Sequence, residues 1–194
     1  MHQVHYATLS GYQDPELNNV LHTVLSPCLE KAGGVQGKRV MIKPNFLEWK
    51  GHDKPVCVAP ELLTALCRYL FDGGASAVAV IENPAVKSAP VIVENMGIAD
   101  ELAKLGVHVA NCENYQFVDM PEKCAFRRLE LAQEYLDYDL VIDFAKAKTH
   151  AMMTLTLAVK NLFGLIRGSE RLGWHLAVDR DYGRFADMLL DIHT

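Results

Sequence analysis

The sequence has no pair of cysteines at C-x-x-C spacing. Its five cysteines stand apart at 28, 57, 67, 112 and 124, and their number is odd. This gives neither a disulfide framework nor a local zinc or iron–sulfur motif. No iron–sulfur cluster and no metal site is therefore expected in this chain, and no cofactor is assigned. Cys28 and Cys67 fall on apolar helical faces and read as small core residues.

Other signatures are missing as well. No G-x-G-x-x-G follows a strand, so the dinucleotide fingerprint is absent. Gly37-Lys38 precedes a strand, is followed by Arg39 and has no glycine at 32, which excludes a P-loop. There is no H-E-x-x-H helix and no G-x-S-x-G elbow. The longest apolar run, Ala151 to Ile166, is broken by Lys160 and Asn161 and does not read as a membrane span. The opening Met1-His2-Gln3-Val4-His5 has no basic region leading into an apolar stretch, so no signal peptide is evident, and a reducing cytoplasm is the expected location. Positive charge is scarce: 19 Lys and Arg face 24 Asp and Glu, a net −5. No overall field draws such a chain to nucleic acid or an anionic membrane, and any basic site must be a local cluster.

What is present is an ordinary globular composition, 50% hydrophobic and 22% charged over 194 residues. That length fits one domain, 1–194, able to bury roughly 70% of its unfolded surface. Asp14-Pro15-Glu16 opens a helix, with Leu17, Val20, Leu21, Val24, Leu25, Cys28 and Leu29 on one face; Pro27 should kink or shorten it. Arg39 to Lys43 is a short apolar strand stopped by Pro44. Pro60 opens a helix carrying Leu62, Leu63, Leu66, Cys67 and Leu70, closed by Gly73-Gly74. The strand Ala77 to Ile81 follows, then a helix around Ile98 to Leu105 and the strand Val107 to Ala110. From Tyr115 to Leu131 the pattern loosens, leaving a short strand or an antiparallel excursion open. Leu140 to Phe144 is another buried strand, and a last helix from about Tyr182 places Phe185, Met188, Leu189 and Ile192 on one face. Apolar strands alternating with helices predict a three-layer α/β fold: a mostly parallel sheet with helices on both faces, Rossmann-like without the dinucleotide fingerprint.

In such a sheet, ligands bind beyond the carboxyl ends of the strands, near the point where strand order reverses. The residues leaving the strands are Lys43-Pro44-Asn45, Glu82-Asn83-Pro84, and Asp143 followed by Lys146, Lys148 and His150. If 146–150 stay extended, those last three share a face. Lys160, Asn161 and Gly164 come one short element later. Each has a plainer reading. A lysine after a strand is usually solvated, Asn45 and Asn83 are ordinary turn residues, and His150 by itself fits a loop histidine. Asp143 interrupts an apolar strand and needs a partner if buried, for which a nearby lysine would suffice. Lys160 resists dismissal, because burying its charge in an apolar run is costly unless something anionic compensates.

The segments IKPNF at 42–46, PELLTALCRYLFDGGASAVAVIENP at 60–84, KAKTH at 146–150 and VKNLFGLIRG at 159–168 resemble the bacterial and archaeal family called domain of unknown function 362. The likeness runs in order from about residue 38 to the end of the chain. It implies an uncharacterised α/β domain, joined in some members to ferredoxin-like iron–sulfur modules. This chain lacks the clustered cysteines of such a module, and members tend to continue past the equivalent of Asp191, so the chain reads as truncated or as a short form. Carried over by position, the family signature falls on Lys43, Asn45, Lys148, His150, Lys160, Asn161 and Gly164.

Two functional expectations follow. The first is a site for a small anionic molecule, with catalysis as an option: Lys43, Lys146, Lys148 and Lys160 supply charge, Asn45, Glu82, Asn161 and Gly164 shape the site, and His150 is the candidate acid or base, with Lys148 and Lys160 beside it as candidate catalytic groups. Crowded lysines depress one another's pKa, which would also leave one neutral enough to be a nucleophile. The second is a non-catalytic accessory domain for a redox, iron–sulfur or metal-handling partner. The apolar stripe of the last helix is expected to pack onto the sheet or to contact a second copy, giving a homo-oligomer.

Overall fold

The computed structural model describes residues 3–150, 154–177 and 181–194. His2 and the first three residues of the apolar run that begins at Ala151 lie outside the described residues. Along the chain come α1 (Asp14–Lys31), β1 (Arg39–Pro44), α2 (Pro60–Asp72), β2 (Ala77–Ile81), α3 (Ala89–Asn95), α4 (Ala99–Leu105) and β3 (His108–Ala110). There follow β4 (Tyr115–Asp119), β5 (Arg128–Ala132), α5 (Glu134–Asp137), β6 (Leu140–Phe144), β7 (Lys148–His150) and β8 (Thr154–Thr156). The last elements are α6 (Ala158–Asn161), a 3-10 turn (Leu162–Leu165), α7 (Gly168–Ala177) and α8 (Tyr182–Ile192).

The four apolar runs form one parallel sheet in the order β3-β2-β1-β6. The central strands β1 and β2 are buried on both faces because their side chains alternate between two cores. Val40, Ile42, Val78 and Val80 face the layer of α1, α2, α3 and α4. Met41, Ala79 and Ile81 face the second core, filled by Leu129, Leu131, Leu165, Phe185 and Met188. Leu63, Leu66 and Leu70 of α2, at three-and-four spacing, are fully buried, and each contributes about 1.5–3 kcal/mol of transfer free energy. Gly106 ends α4 with φ of 80°, a left-handed value that a side chain would oppose.

The open stretch after β3 proves to be an antiparallel hairpin, β4 paired with β5, lying apart from the main sheet; among the described residues an isolated bridge links its Leu131 to Ile166, just after the 3-10 turn. The second layer is therefore mixed, with α8, the 3-10 turn and this hairpin together. The stretch around Trp174 is helical, as α7, and Trp174 meets Phe126 edge to face at 5.2 Å. The helix α1 is not shortened at Pro27 and runs on to Lys31. One expectation needs correction. Cys28 lies exposed, since the helix-layer core takes Leu17, Leu21 and Leu29 and leaves Cys28 turned away from it, whereas Cys67 is fully buried. The stripe on α8 is covered by the chain itself, with Phe185 and Met188 fully buried.

Candidate functional site

β1 sits in the middle of the sheet. From it the chain builds outward through β2 to β3, and later returns to lay β6 on the opposite side. Strand order thus reverses between β1 and β6, and a crevice is expected at their carboxyl ends. The register places Lys43 directly beside Asp143 there.

The floor of this crevice is a buried polar network. Lys43 is completely inaccessible, and its Nζ donates to Glu82 Oε1 at 2.8 Å and to Asn161 Oδ1 at 3.2 Å. Glu82 also accepts from the backbone N–H groups of Asn83 (2.9 Å) and Phe46 (3.4 Å). Asn161 joins the strand ends: its Oδ1 accepts from Asn45 at 3.1 Å, and its Nδ2 donates to the Lys43 carbonyl at 3.2 Å and to Asp143 Oδ1 at 2.6 Å. Gly164 lies so close that a Cβ there would stand 2.7 Å from Lys43 Nζ and 2.9 Å from Glu82 Oε1. Glycine is needed at that point for the approach itself, and the 3-10 turn caps the ion pair.

Above the floor opens a cleft of about 300 Å³, and Lys148, His150, Lys160 and Arg171 are among its walls. Lys148 Nζ donates to the Val56 carbonyl at 2.6 Å, tying β7 to the loop after β1. Arg171 donates to three carbonyls, those of Asn83 (2.7 Å), Gly164 (2.6 Å) and Ile166 (3.0 Å). Lys160 Nζ rests 4.4 Å above the ring of Phe163 and 5.7 Å from that of Phe185. Among the described residues, none of these three cations pairs with a carboxylate.

Burial shapes the protonation here. It lowers Lys160 to about 8, helped by the neighbouring charges of Arg171, Lys43 and Lys148. Burial also lowers Lys148 and Arg171. Asp143 moves the other way, raised to about 6 by burial against the hydrogen bond from Asn161. Its Oδ2 is buried without a hydrogen-bond partner among the described residues.

Most of the residues anticipated from the strand ends are gathered in this one place. Lys43, Asn45, Glu82, Asn161 and Gly164 build the floor and its edge, while Lys148, His150 and Lys160 line the cleft. Lys146 precedes β7 and is not part of the lining. Asp143 finds an amide as its partner where a lysine was expected, because Lys43 is turned toward Glu82. Arg171 was missed. Its only sequence signal was a basic residue three positions after Gly168, and its place depends on carbonyls up to 88 residues away. Among the described residues, no three His, Cys, Asp or Glu side chains gather as a metal-holding group.

The sequence model of the family described as "Domain of unknown function (DUF362)" matches residues 40–194. The chain belongs to that family. The matched span begins inside β1 and includes every residue named in the floor and walls of the cleft, so the cleft belongs to the DUF362 domain itself. The chain is also 30% identical over 182 residues to Thylakoid-associated protein sll1697 of Synechocystis sp., covering 93% of this chain and 56% of that protein. This chain thus spans little more than half the length of that DUF362 relative. No solved structure gives a significant match. Among the described residues, no helix is long and apolar enough to cross a membrane.

Proposed function

We propose that the cleft at the β1–β6 switch point binds a small anionic molecule. The observation that carries this reading is the set of three wall cations, Lys148, Lys160 and Arg171, none of them paired with a carboxylate among the described residues. Glu82, the carboxylate in the cleft lining, is already engaged by Lys43. Half-buried like charges repel one another, and an anion between them relieves that repulsion while replacing lost hydration. Arg171 has five donors and uses three on carbonyls, so two N–H groups remain for a ligand oxygen. Lys148 keeps two of its three. The floor residues Lys43, Asn45, Glu82, Asn161 and Gly164 hold the walls in register, and His150 is the acid or base within reach of the cleft. A reducing, cytoplasmic setting accords with the five free cysteines.

Thermal shift with phosphate, sulfate and acetate, against chloride at matched ionic strength, tests the reading. The melting temperature should rise as the anion passes its dissociation constant. Lys148→Ala should abolish that rise. If no anion exceeds chloride, the wall cations face a partner, and an accessory role beside a redox or metal-handling protein takes the lead.

A further inference from the structure

We propose that the anionic ligand is a small oxo acid, and that Lys160 condenses with its carbonyl carbon to form a Schiff base. This rests on the anion-binding reading above and adds the chemistry of the bound molecule. The three lysines of the site differ in what their amines are doing. Lys43 is sealed under the floor and held by Glu82 and Asn161. Lys148 is bonded to the Val56 carbonyl. Lys160 lines the cleft, and among the described residues its Nζ makes no hydrogen bond and no ion pair, only the contacts over Phe163 and Phe185. The ring faces return only part of the hydration that its ammonium loses, and Arg171 and Lys148 disfavour a further positive charge. A free amine in an apolar cradle beside fixed cations is the arrangement that makes a lysine nucleophilic toward carbonyl compounds. Charge for the ligand's carboxylate comes from Arg171 and Lys148, leaving Lys160 to meet the carbonyl. A cleft of about 300 Å³ suits a small ligand.

The step balances without an oxidant or a reductant. The Nζ lone pair forms a C–N bond as the carbonyl π pair moves to oxygen, and one proton passes from nitrogen to that oxygen, giving a carbinolamine. One further proton, from His150 or solvent, lets the hydroxyl leave as water. The product is a protonated imine, whose charge faces the ligand's own carboxylate.

Pyruvate with cyanoborohydride, which reduces the imine and fixes the adduct, tests this by intact mass and peptide mapping. At pH 7.5 Lys160 should be labelled about tenfold faster than exposed lysines, since its pKa near 8 leaves far more free amine. The rate should rise with pH to a midpoint near 8, and lactate, an anion of the same size without the carbonyl, should slow it. Lys160→Arg keeps the charge and should lose the adduct. Should that variant fail to fold, the wild-type peptide map with lactate protection decides by itself. Label spread evenly over the lysines, or persisting undiminished in folded Lys160→Arg, overturns the proposal. A lactate thermal shift without any adduct overturns it too, and leaves anion binding standing. Absence of both removes the anion site and this chemistry together.

Discussion

The floor and the walls of the cleft use the same residue types to opposite ends. In the floor, Lys43 is wholly buried, and its charge is answered by Glu82 at 2.8 Å within a network in which Asn161 serves both strands. In the walls, Lys148, Lys160 and Arg171 stay half-buried, with carbonyls or ring faces as their company among the described residues. A paired interior charge fixes geometry and has nothing left to offer a ligand. A half-desolvated, unanswered one lowers its own pKa and gains from an incoming anion. The contrast separates a sealed scaffold from a solvent-facing wall within one cleft.

Experiments that erase the contrast should produce their largest effect in the floor. Lys43→Met strands the Glu82 carboxylate and should lower unfolding free energy by about 3–5 kcal/mol, read by urea titration; adding Glu82→Gln should recover much of that loss. Next, Gly164→Ala pushes a methyl to 2.7 Å from Lys43 Nζ and should cost about 1–3 kcal/mol by the same measurement. Asp143→Asn should act in the opposite direction, stabilising the protein at pH 7 by about 1 kcal/mol, because a buried carboxylate with one unsatisfied oxygen is replaced by a neutral amide. The sign of its pH dependence follows from a folded pKa of about 6, above the unfolded carboxyl value. The protonated form favours the fold, so Asp143 adds stability below about pH 4 and loses it as pH rises through 6. The gap between variant and wild type should therefore open across that window and be constant above pH 7. The smallest stability change belongs to the wall: Lys148→Ala should shift intrinsic stability by only about 0.5 kcal/mol while removing the anion response.

The sheet was legible because each of its strands is a short apolar run between turn residues, as in RVMIK before Pro44 and AVAVI before Asn83-Pro84. That these polar residues would gather was legible for a topological reason: they leave neighbouring parallel strands at one edge of the sheet. The hairpin β4–β5 was not. Phe117 is exposed and the burial along β4 is shallow, so no apolar alternation marks it. The split between floor and walls was equally hidden. A lysine after a strand looks solvated, and what buries Lys43 is a carboxylate 39 residues away and the bare backbone of Gly164. Arg171 was invisible for the same reason, since backbone carbonyls are its partners and carry no sequence identity.

Asn161 also sets an order of assembly. Its oxygen faces two donors and its nitrogen three acceptors, so only one orientation of the amide fits, and those partners lie on β1, at Asn45 just after it, and on β6, in part 118 residues earlier in the chain. The socket for that amide exists only once β1 and β6 are side by side, and closing so long a loop comes late in folding. Until then Lys43 and Glu82 are open to water at the strand ends. Docking of Asn161 and the 3-10 turn behind it converts a wet sheet edge into a sealed floor, so the floor cannot form before β1 and β6 pair.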